Sequence, residues 1–233
     1  MKPKAVVLLS GGLDSATCLY DAIDRGFEVI ALSFFYNQSH LIELEYAKKL
    51  VEESRVAVHL NLKSDLDKIG GSALTTDTPI PKGGQDLEKE NHIPATYVPG
   101  RNIIFLSLAA ATAEANGAHN IFIGVNALDY SGYPDCRPDF IRAFTHALNL
   151  GTKQGVTSNK FTIHTPLIDL TKAQIVEKGN KLNVPYELTW SCYDPQKKDS
   201  GEIVPCMQCD SCLLRQKGFA DAGLLDPAIR KTI

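Results

Sequence analysis

The N-terminal segment joins a short apolar run directly to a glycine pair and then to a helical pattern. Residues 5–9 (AVVLL) are apolar without interruption, Gly11 and Gly12 follow, and the helical pattern extends from Ser15 to about Arg25. A buried strand, a glycine turn and a helix in direct succession are typical of the first unit of a parallel α/β sheet. The segment therefore predicts a fold in which buried strands alternate with covering helices.

The same alternation continues along most of the chain. Further strands are predicted at 28–35, 56–60, 120–125 and 161–164, and helices at about 41–53, 102–116, 139–150 and 172–182. Thr171 and Gln174 have the spacing of a capping box at the start of the last of these helices. Residues 61–95 are rich in glycine and proline, which predicts a long irregular binding loop or lid with at most one short helix near 65–69. The predicted fold is α/β and Rossmann-like, a parallel sheet flanked by helices with a small C-terminal metal-binding segment.

Length and charge narrow the class of protein. The 233 residues suffice for one α/β domain with a small appendage. The net charge of −3 lacks the basic excess that is typical of nucleic-acid-binding domains, so we expect no direct nucleic-acid partner. The apolar run at 5–9 is too short for a signal peptide or a membrane span, and we expect a cytoplasmic protein with no membrane partner.

The glycine turn has the chemistry of an anion site. Backbone N–H groups and the positive end of a helix dipole converge there, and Ser10 and Ser15 add hydroxyl donors. Asp14 would repel a phosphate, so we expect it to hold Mg²⁺ or to orient the loop. The turn lacks the Gly-Lys-Ser/Thr of a Walker A motif and the third glycine of the dinucleotide fingerprint. It resembles the pyrophosphate loop, SGGxDS, of the N-type ATP pyrophosphatases, which cleave ATP between the α and β phosphates and transfer AMP to a substrate oxygen.

Four of the six cysteines cluster near the C-terminus. Four thiolates at this spacing are typical of a structural Zn²⁺ site, which has no open coordination position. An iron–sulfur cluster would use the same ligands, and free thiols are the other alternative. Of the two remaining cysteines, we expect Cys18 to be a small buried apolar residue and Cys136 to lie in a loop. The predicted ligands are Cys192, Cys206, Cys209 and Cys212.

Three polar loops are expected at the carboxyl edge of the sheet, beside the phosphate loop, because ligands bind there in open α/β sheets. They span residues 36–40, 97–102 and 124–137. Aromatic rings and charged groups in the last loop suit a polar, planar ring. His40 is a candidate acid–base group or phosphate contact, although a histidine at a helix start also fits plain polar surface. The substrate-binding candidates are Arg101, Asp129, Tyr130, Asp135 and Arg137, and the catalytic candidates are Asp14, His40 and Arg101.

Together these motifs resemble the family of 7-cyano-7-deazaguanine synthases (the QueC family). The resemblance is carried by LLSGGLDSATCL, IGGSALT, TYVPGRNIIFLSLA, IFIGVNALDYSGYPDCRPDFI, HTPLIDLTKAQI, LTWSCYDP and CDSCLLRQKGF, which span residues 8–219. It implies an ATP-dependent carbon–nitrogen ligase of queuosine biosynthesis that converts 7-carboxy-7-deazaguanine, ammonia and two ATP into the nitrile. It further implies Mg²⁺ with ATP, one structural Zn²⁺ per chain, a homodimer, an ATP domain at 1–190 and a zinc-binding subdomain at 191–233. The ATP-binding residues it implies are Leu8, Leu9, Ser10, Gly11, Gly12, Leu13, Asp14, Ser15, Ala16, Thr17 and Cys18.

The chain departs from the family pattern in three places. Ser39 stands where the family commonly has a basic residue, Met207 stands where glycine usually follows the second metal cysteine, and the stretch between Cys192 and Cys206 is longer than usual. Ser39 weakens the expectation that the loop at 36–40 grips phosphate, while the other two changes affect the backbone of the metal loop but remove no ligand. Three alternatives stay open on the residues alone: a tRNA sulfur transferase, an ammonia-dependent synthetase like those of GMP or NAD, and a non-catalytic nucleotide-binding zinc protein.

Overall fold

A computed structural model of the chain describes residues 2–36, 42–84, 92–128, 132–157 and 159–229. Five strands form one sheet in the order β3-β2-β1-β4-β5, and every neighbouring pair is parallel. The predicted α/β class is confirmed. The strands are β1 (Lys4–Leu8), β2 (Glu28–Phe35), β3 (Val58–Lys63), β4 (Asn120–Phe122) and β5 (Thr162–His164).

Helices cover both faces of the sheet. The helices are α1 (Leu13–Asp24), α2 (Ile42–Ser54), α3 (Leu66–Ile69), α4 (Arg101–Ala115), α5 (Pro138–Gly151), α6 (Lys172–Lys181) and α7 (Asp210–Asp221). Along β1 the side chains alternate, so that Val6 joins a core with α4 while Val7 joins a second core with α1, α2 and α6. Ile103 of α4 is 44% exposed, so this helix is buried on one face only. Among these described helices, none is both long and apolar enough to cross a bilayer.

The predicted capping box at the start of α6 is confirmed. The Thr171 side chain accepts a hydrogen bond from Gln174 N at 3.3 Å, and Thr171 N donates to Gln174 Oε1 at 2.8 Å. In the described part of 61–95, α3 is the one helix, as the composition predicts. The strand predicted at 120–125 ends at Phe122, because the chain then leaves the sheet and brings Gly124 against the backbone of Asp14.

The C-terminal tail is more regular than the sequence predicts. The antiparallel strands β6 (Gln196–Lys197) and β7 (Ile203–Val204) form a small hairpin between the first two metal-ligand candidates. This hairpin accounts for the long stretch between Cys192 and Cys206. Helix α7, which the sequence analysis did not predict, then packs against α6.

Strand order places the turn after β1 at the topological switch point of the sheet. The chain passes from β1 to β2 and β3 on one side, then returns to β4 on the other side of β1. A crevice opens between the carboxyl ends of such strands, and ligands of open α/β sheets bind in it. Gly11 lies in this turn with φ +87°.

Packing of α2 makes Gly11 necessary for a second reason. A Cβ at this position would lie 2.3 Å from the Glu43 carbonyl oxygen and 2.9 Å from Ala47 N. Gly26 has a similar φ of +84° but nothing within 4 Å of its Cβ position, so it is a matched control.

We therefore predict that Gly11→Ala destabilises the protein more than Gly26→Ala does. Both variants incur the left-handed backbone cost of about 1–2 kcal/mol, and Gly11→Ala adds a steric cost of about 1–3 kcal/mol. Urea unfolding of the two variants measures the difference. Equal losses of unfolding free energy would show that α2 does not hold the turn in place.

Candidate functional site

The turn after β1 is organised by its own serines. Ser15 Oγ donates to the Gly12 carbonyl at 3.0 Å and accepts from Ser10 N at 3.2 Å and from Ser10 Oγ at 3.0 Å. Gly12 N donates to Ser10 Oγ at 3.3 Å. Helix α1 begins at Leu13, so this closed network also fixes the helix N-terminus that the sequence predicts as an anion site.

The metal-binding tail reaches the same turn. Trp190 N donates to the Gly11 carbonyl at 2.9 Å, and a Cβ on Gly12 would lie 3.4 Å from the Trp190 carbonyl. Trp190 is 6% exposed, and its indole Nε1 donates to the Cys192 carbonyl at 2.9 Å. The loop that begins the cysteine segment is therefore part of the wall of the phosphate site.

Asp14 is paired with a lysine that the sequence analysis did not identify. Lys172 Nζ donates to both carboxylate oxygens of Asp14, each at 2.9 Å, and Lys172 is 8% exposed. Lys172 is the first residue of α6, where the helix dipole disfavours a cation. That unfavourable placement is the sequence signal that could have identified it, because such a lysine needs a compensating partner.

A cavity of about 250 Å³ extends from this turn along the carboxyl edge of the sheet. The described parts of the three polar loops meet in its wall, as the sequence analysis predicts: Tyr36, Arg101 and the residues after β4 all line it together with Ser10 and Asp14. Gly124 allows this convergence, since a Cβ there would lie 3.1 Å from the Asp14 backbone.

Some of the predicted ATP-binding residues line the cavity, whereas others are buried away from it. Ala16, Thr17 and Cys18 are fully buried inside α1, and burial raises the pKa of the Cys18 thiol. Gly11 is in the turn but is not part of the cavity lining. The predicted ATP residues that do line the cavity are Leu8, Leu9, Ser10, Gly12, Leu13, Asp14 and Ser15.

The substrate candidates fall into three groups. Arg101 lines the cavity, whereas Asp135 is 4% exposed behind it and Arg137 lies at the exposed N-cap of α5. Asp135 Oδ2 accepts from Asn102 N at 3.0 Å, so this carboxylate anchors the first turn of α4, where Arg101 stands. Burial raises the pKa of Asp135, against the effect of that hydrogen bond. His40, Asp129 and Tyr130, together with Ser39, lie outside the described residues.

The four predicted metal ligands lie together. The sulfur atoms of Cys192, Cys206, Cys209 and Cys212 are all within 4.8 Å of one another. Four thiolates bound to one Zn²⁺ at about 2.3 Å would be roughly 3.8 Å apart, so the cluster has the size of a tetrahedral site. The cluster can therefore hold one metal ion with no position open to a substrate.

Backbone amides around the cysteines donate hydrogen bonds to their sulfur atoms. Cys192 Sγ accepts from Asp194 N at 3.3 Å and from Cys206 N at 3.2 Å, and Cys206 Sγ accepts from Cys209 N at 3.3 Å. Hydrogen bonds from neighbouring thiols lower the pKa of Cys209. Such N–H donors stabilise the negative charge that metal-bound sulfur carries.

Arg215 is a second residue that the sequence analysis missed, and it holds the C-terminal tail together. Arg215 on α7 is 8% exposed, lines the cavity, and donates to both carboxylate oxygens of Asp226, at 2.6 and 2.9 Å. It also donates to Thr189 Oγ1 at 2.7 Å and to the Tyr186 carbonyl at 3.0 Å. No local pattern marks this arginine, because these partners come from two separate segments, 186–189 and the one that contains Asp226.

Met207 occupies a conformation that favours glycine. Its φ is +61°, in the left-handed region, and its carbonyl accepts a hydrogen bond from Gln216 Nε2 at 3.1 Å. The departure from the family pattern at this position thus places a side chain in a backbone conformation that favours glycine.

We predict that Met207→Gly stabilises the protein by about 1 kcal/mol, because it removes the left-handed strain of a side-chain-bearing residue. Gln208→Gly is the control: Gln208 is the next residue, is exposed, and has no positive φ, so this change should cost about 0.5–1 kcal/mol. Thermal unfolding of the metal-loaded variants measures both effects. Destabilisation of the two variants by the same amount would contradict the assignment of strain.

Comparison with known proteins places this site in a family. The family described as "Queuosine biosynthesis protein QueC" matches residues 4–223. The 7-cyano-7-deazaguanine synthase of Desulfatibacillum aliphaticivorans is 59% identical over 97% of this chain and 96% of its own length, and that of Magnetococcus marinus is 56% identical over 96% and 95%. Among solved structures, NMN synthetase from Francisella tularensis overlays with a TM-score of 0.49 at 17% identity, over 96% of this chain and 79% of its own. Residues 4–223 thus carry the family's sequence over nearly the whole chain, and the protein belongs to the QueC family.

Proposed function

We propose that the protein is a 7-cyano-7-deazaguanine synthase, an ATP-dependent ligase that converts 7-carboxy-7-deazaguanine and ammonia to the nitrile. The observation that carries this proposal is the identity of 52–59% to curated relatives of that name over 96–97% of the chain. Membership of the QueC family favours this reaction over a tRNA sulfur transferase, a GMP- or NAD-type synthetase, or a non-catalytic protein.

The phosphates of ATP are proposed to bind at the turn after β1. Ser10, Gly12, Leu13 and Ser15 line the cavity there, and Lys172, which also lines it, adds a cation. Asp14 holds Lys172 in place through both carboxylate oxygens. Mg²⁺ would accompany ATP and offset the charge that develops on pyrophosphate as it leaves.

The deazaguanine substrate is proposed to bind toward Arg101. A guanidinium fork matches a carboxylate, so Arg101 suits the carboxyl group that becomes activated. Asp135 supports Arg101 through its hydrogen bond to the first turn of α4. Asp129, Tyr130 and Arg137 remain proposed contacts of the heterocycle, and His40 a proposed acid–base group or phosphate contact.

We propose that two successive adenylations take place in this cavity, as the family resemblance implies. The substrate carboxylate attacks the α-phosphate and forms an acyl adenylate, and ammonia then displaces AMP to give the amide. A second ATP adenylates the amide oxygen, and loss of AMP leaves the nitrile. Donors fixed before the reaction stabilise the developing charge without a reorganisation cost, which is the role proposed for the turn and Lys172.

The cysteine cluster is proposed to hold one structural Zn²⁺ per chain. All four positions are thiolates, which suit zinc and leave no open coordination position for catalysis. The residues 191–233 are proposed as the zinc-binding subdomain that packs on an ATP domain at 1–190. We further propose that the protein is cytoplasmic. We also propose that it forms a homodimer, which would cover exposed apolar side chains such as Leu150, whose exposed fraction is 66%.

The direct test supplies the purified protein with ATP, Mg²⁺, ammonium and 7-carboxy-7-deazaguanine and follows the products by mass spectrometry. We expect the nitrile with two AMP released for each turnover. Accumulation of the amide alone would contradict the second adenylation. Absence of both products from folded, metal-loaded protein would overturn the proposed substrate.

We predict that Lys172→Met slows adenylation roughly 100-fold, because it removes a fixed cation from the site of developing charge. Lys181→Met is the matched control, since Lys181 ends the same helix and is exposed. ATP–pyrophosphate exchange in the presence of 7-carboxy-7-deazaguanine measures the step. An unchanged kcat/KM for ATP in Lys172→Met would show that Lys172 serves only to hold Asp14.

A further inference from the structure

Conversion of ammonia to a nitrile requires the removal of three protons from the nitrogen. Ammonia brings three N–H protons and the nitrile nitrogen retains none of them. One proton leaves when the C–N bond forms and AMP departs with its electron pair, and two more leave when the second AMP departs from the adenylated amide. A site that performs this sequence therefore needs a proton acceptor beside the reacting nitrogen; this argument rests on the proposed function.

The described wall of the cavity offers two carboxylates, Asp14 and Glu43, and no histidine. Both oxygens of Asp14 already accept hydrogen bonds from Lys172 Nζ, each at 2.9 Å. Two buried acids nearby, Asp135 and Asp226, do not line the cavity and accept hydrogen bonds from Asn102 N and Arg215. Of the two carboxylates in the described wall, Glu43 is therefore the one that no lysine or arginine holds through both oxygens.

Glu43 stands between the two proposed substrates. It lies in the first turn of α2, and its carbonyl oxygen would be 2.3 Å from a Cβ on Gly11, so its backbone packs on the phosphate turn. Arg101, proposed to hold the substrate carboxyl group, acts on the Glu43 side chain through its charge, and Tyr36 at the end of β2 is its other interacting neighbour. The further charged or titratable groups in the described wall are Asp14, Lys172, Arg215, Tyr133, Tyr193, Cys136 and Cys192.

We propose that Glu43 is the catalytic proton acceptor of the nitrogen-transfer steps, taking a proton from ammonia as the amide forms and from the amide nitrogen as the nitrile forms. Each accepted proton passes to water before the next transfer. Burial raises the pKa of Glu43 to about 7, against the opposing effect of Arg101. An acceptor with a pKa near the working pH is ionised often enough to act and basic enough to take the proton.

The test separates adenylation from nitrogen transfer. ATP–pyrophosphate exchange without ammonium measures adenylation alone, and single-turnover conversion of the acyl adenylate at a fixed concentration of free ammonia measures amide formation. Glu43→Gln should keep exchange within about threefold of wild type and slow amide and nitrile formation roughly 100-fold or more. Glu45→Gln, which removes the same charge from an exposed position in the same helix, should change neither.

The pH dependence adds a readout that a purely structural role would not produce. A carboxylate acceptor is lost as pH falls through its pKa, so wild-type amide formation should fall about tenfold per pH unit below about 7, while exchange stays level. In Glu43→Gln the rate of amide formation should no longer fall as the pH decreases below about 7.

Two results would overturn the proposal: amide formation by Glu43→Gln at the wild-type rate, or equal slowing of exchange and amide formation. If Glu43→Gln does not fold, the wild-type pH profiles decide, since parallel profiles for the two steps contradict a proton acceptor specific to nitrogen transfer. A wild-type protein that shows no exchange at all would overturn the proposed function, and this outcome is distinct from a failure of Glu43 alone.

Discussion

The hydrogen bond from Trp190 N to the Gly11 carbonyl connects the metal-binding tail to the turn that begins the first helix. That turn is held on its other side by α2, whose backbone leaves no room for a Cβ on Gly11. Ile42 and Tyr46 of α2 also pack against the cysteine cluster. The turn, α2 and the metal site are therefore one packed unit, and binding energy on the order of 10 kcal/mol from a structural zinc would stabilise the phosphate site as well as the tail.

The tail has a second influence on the site through Lys172. A Cβ on Gly218 would lie 2.3 Å from Lys172 Cγ, so α7 packs directly on the lysine stem and directs its ammonium group toward Asp14. Arg215, one turn earlier on α7, is held by Asp226. Breaking a buried ion pair by removing one partner typically costs about 3–5 kcal/mol, so the pair Lys172–Asp14 holds α6 against the start of α1 and the pair Arg215–Asp226 stabilises the tail itself. Lys172, Arg215 and Arg101 all line the cavity.

The sequence predicted those features that depend on interactions between residues close together in the chain. The apolar run of β1, the glycine turn and the capping box of Thr171 and Gln174 each depend on neighbours within a few residues, and the structure has all three. The spacing of the cysteines predicted a metal site because four thiolates in a short segment have few other uses. Lys172 was missed because its partner lies far away in sequence: Asp14 is 158 residues from it. The partners of Arg215 lie 11 to 29 residues away, and Arg101, which acts on Glu43, is in another helix. Helix α7 was missed because its pattern is polar and its burial comes from α6.

Hydrogen exchange of the turn with and without metal tests most directly whether the tail and the phosphate site form one unit. The metal is removed from the full-length protein with a chelator, and exchange is followed by mass spectrometry for peptides that cover Ser10–Ser15 and, as a reference, β2. We predict that metal removal speeds exchange in the turn while β2 (Glu28–Phe35) stays protected, and that ATP–pyrophosphate exchange falls in parallel. Unchanged protection of the turn in metal-free protein that retains its β2 protection would contradict the account.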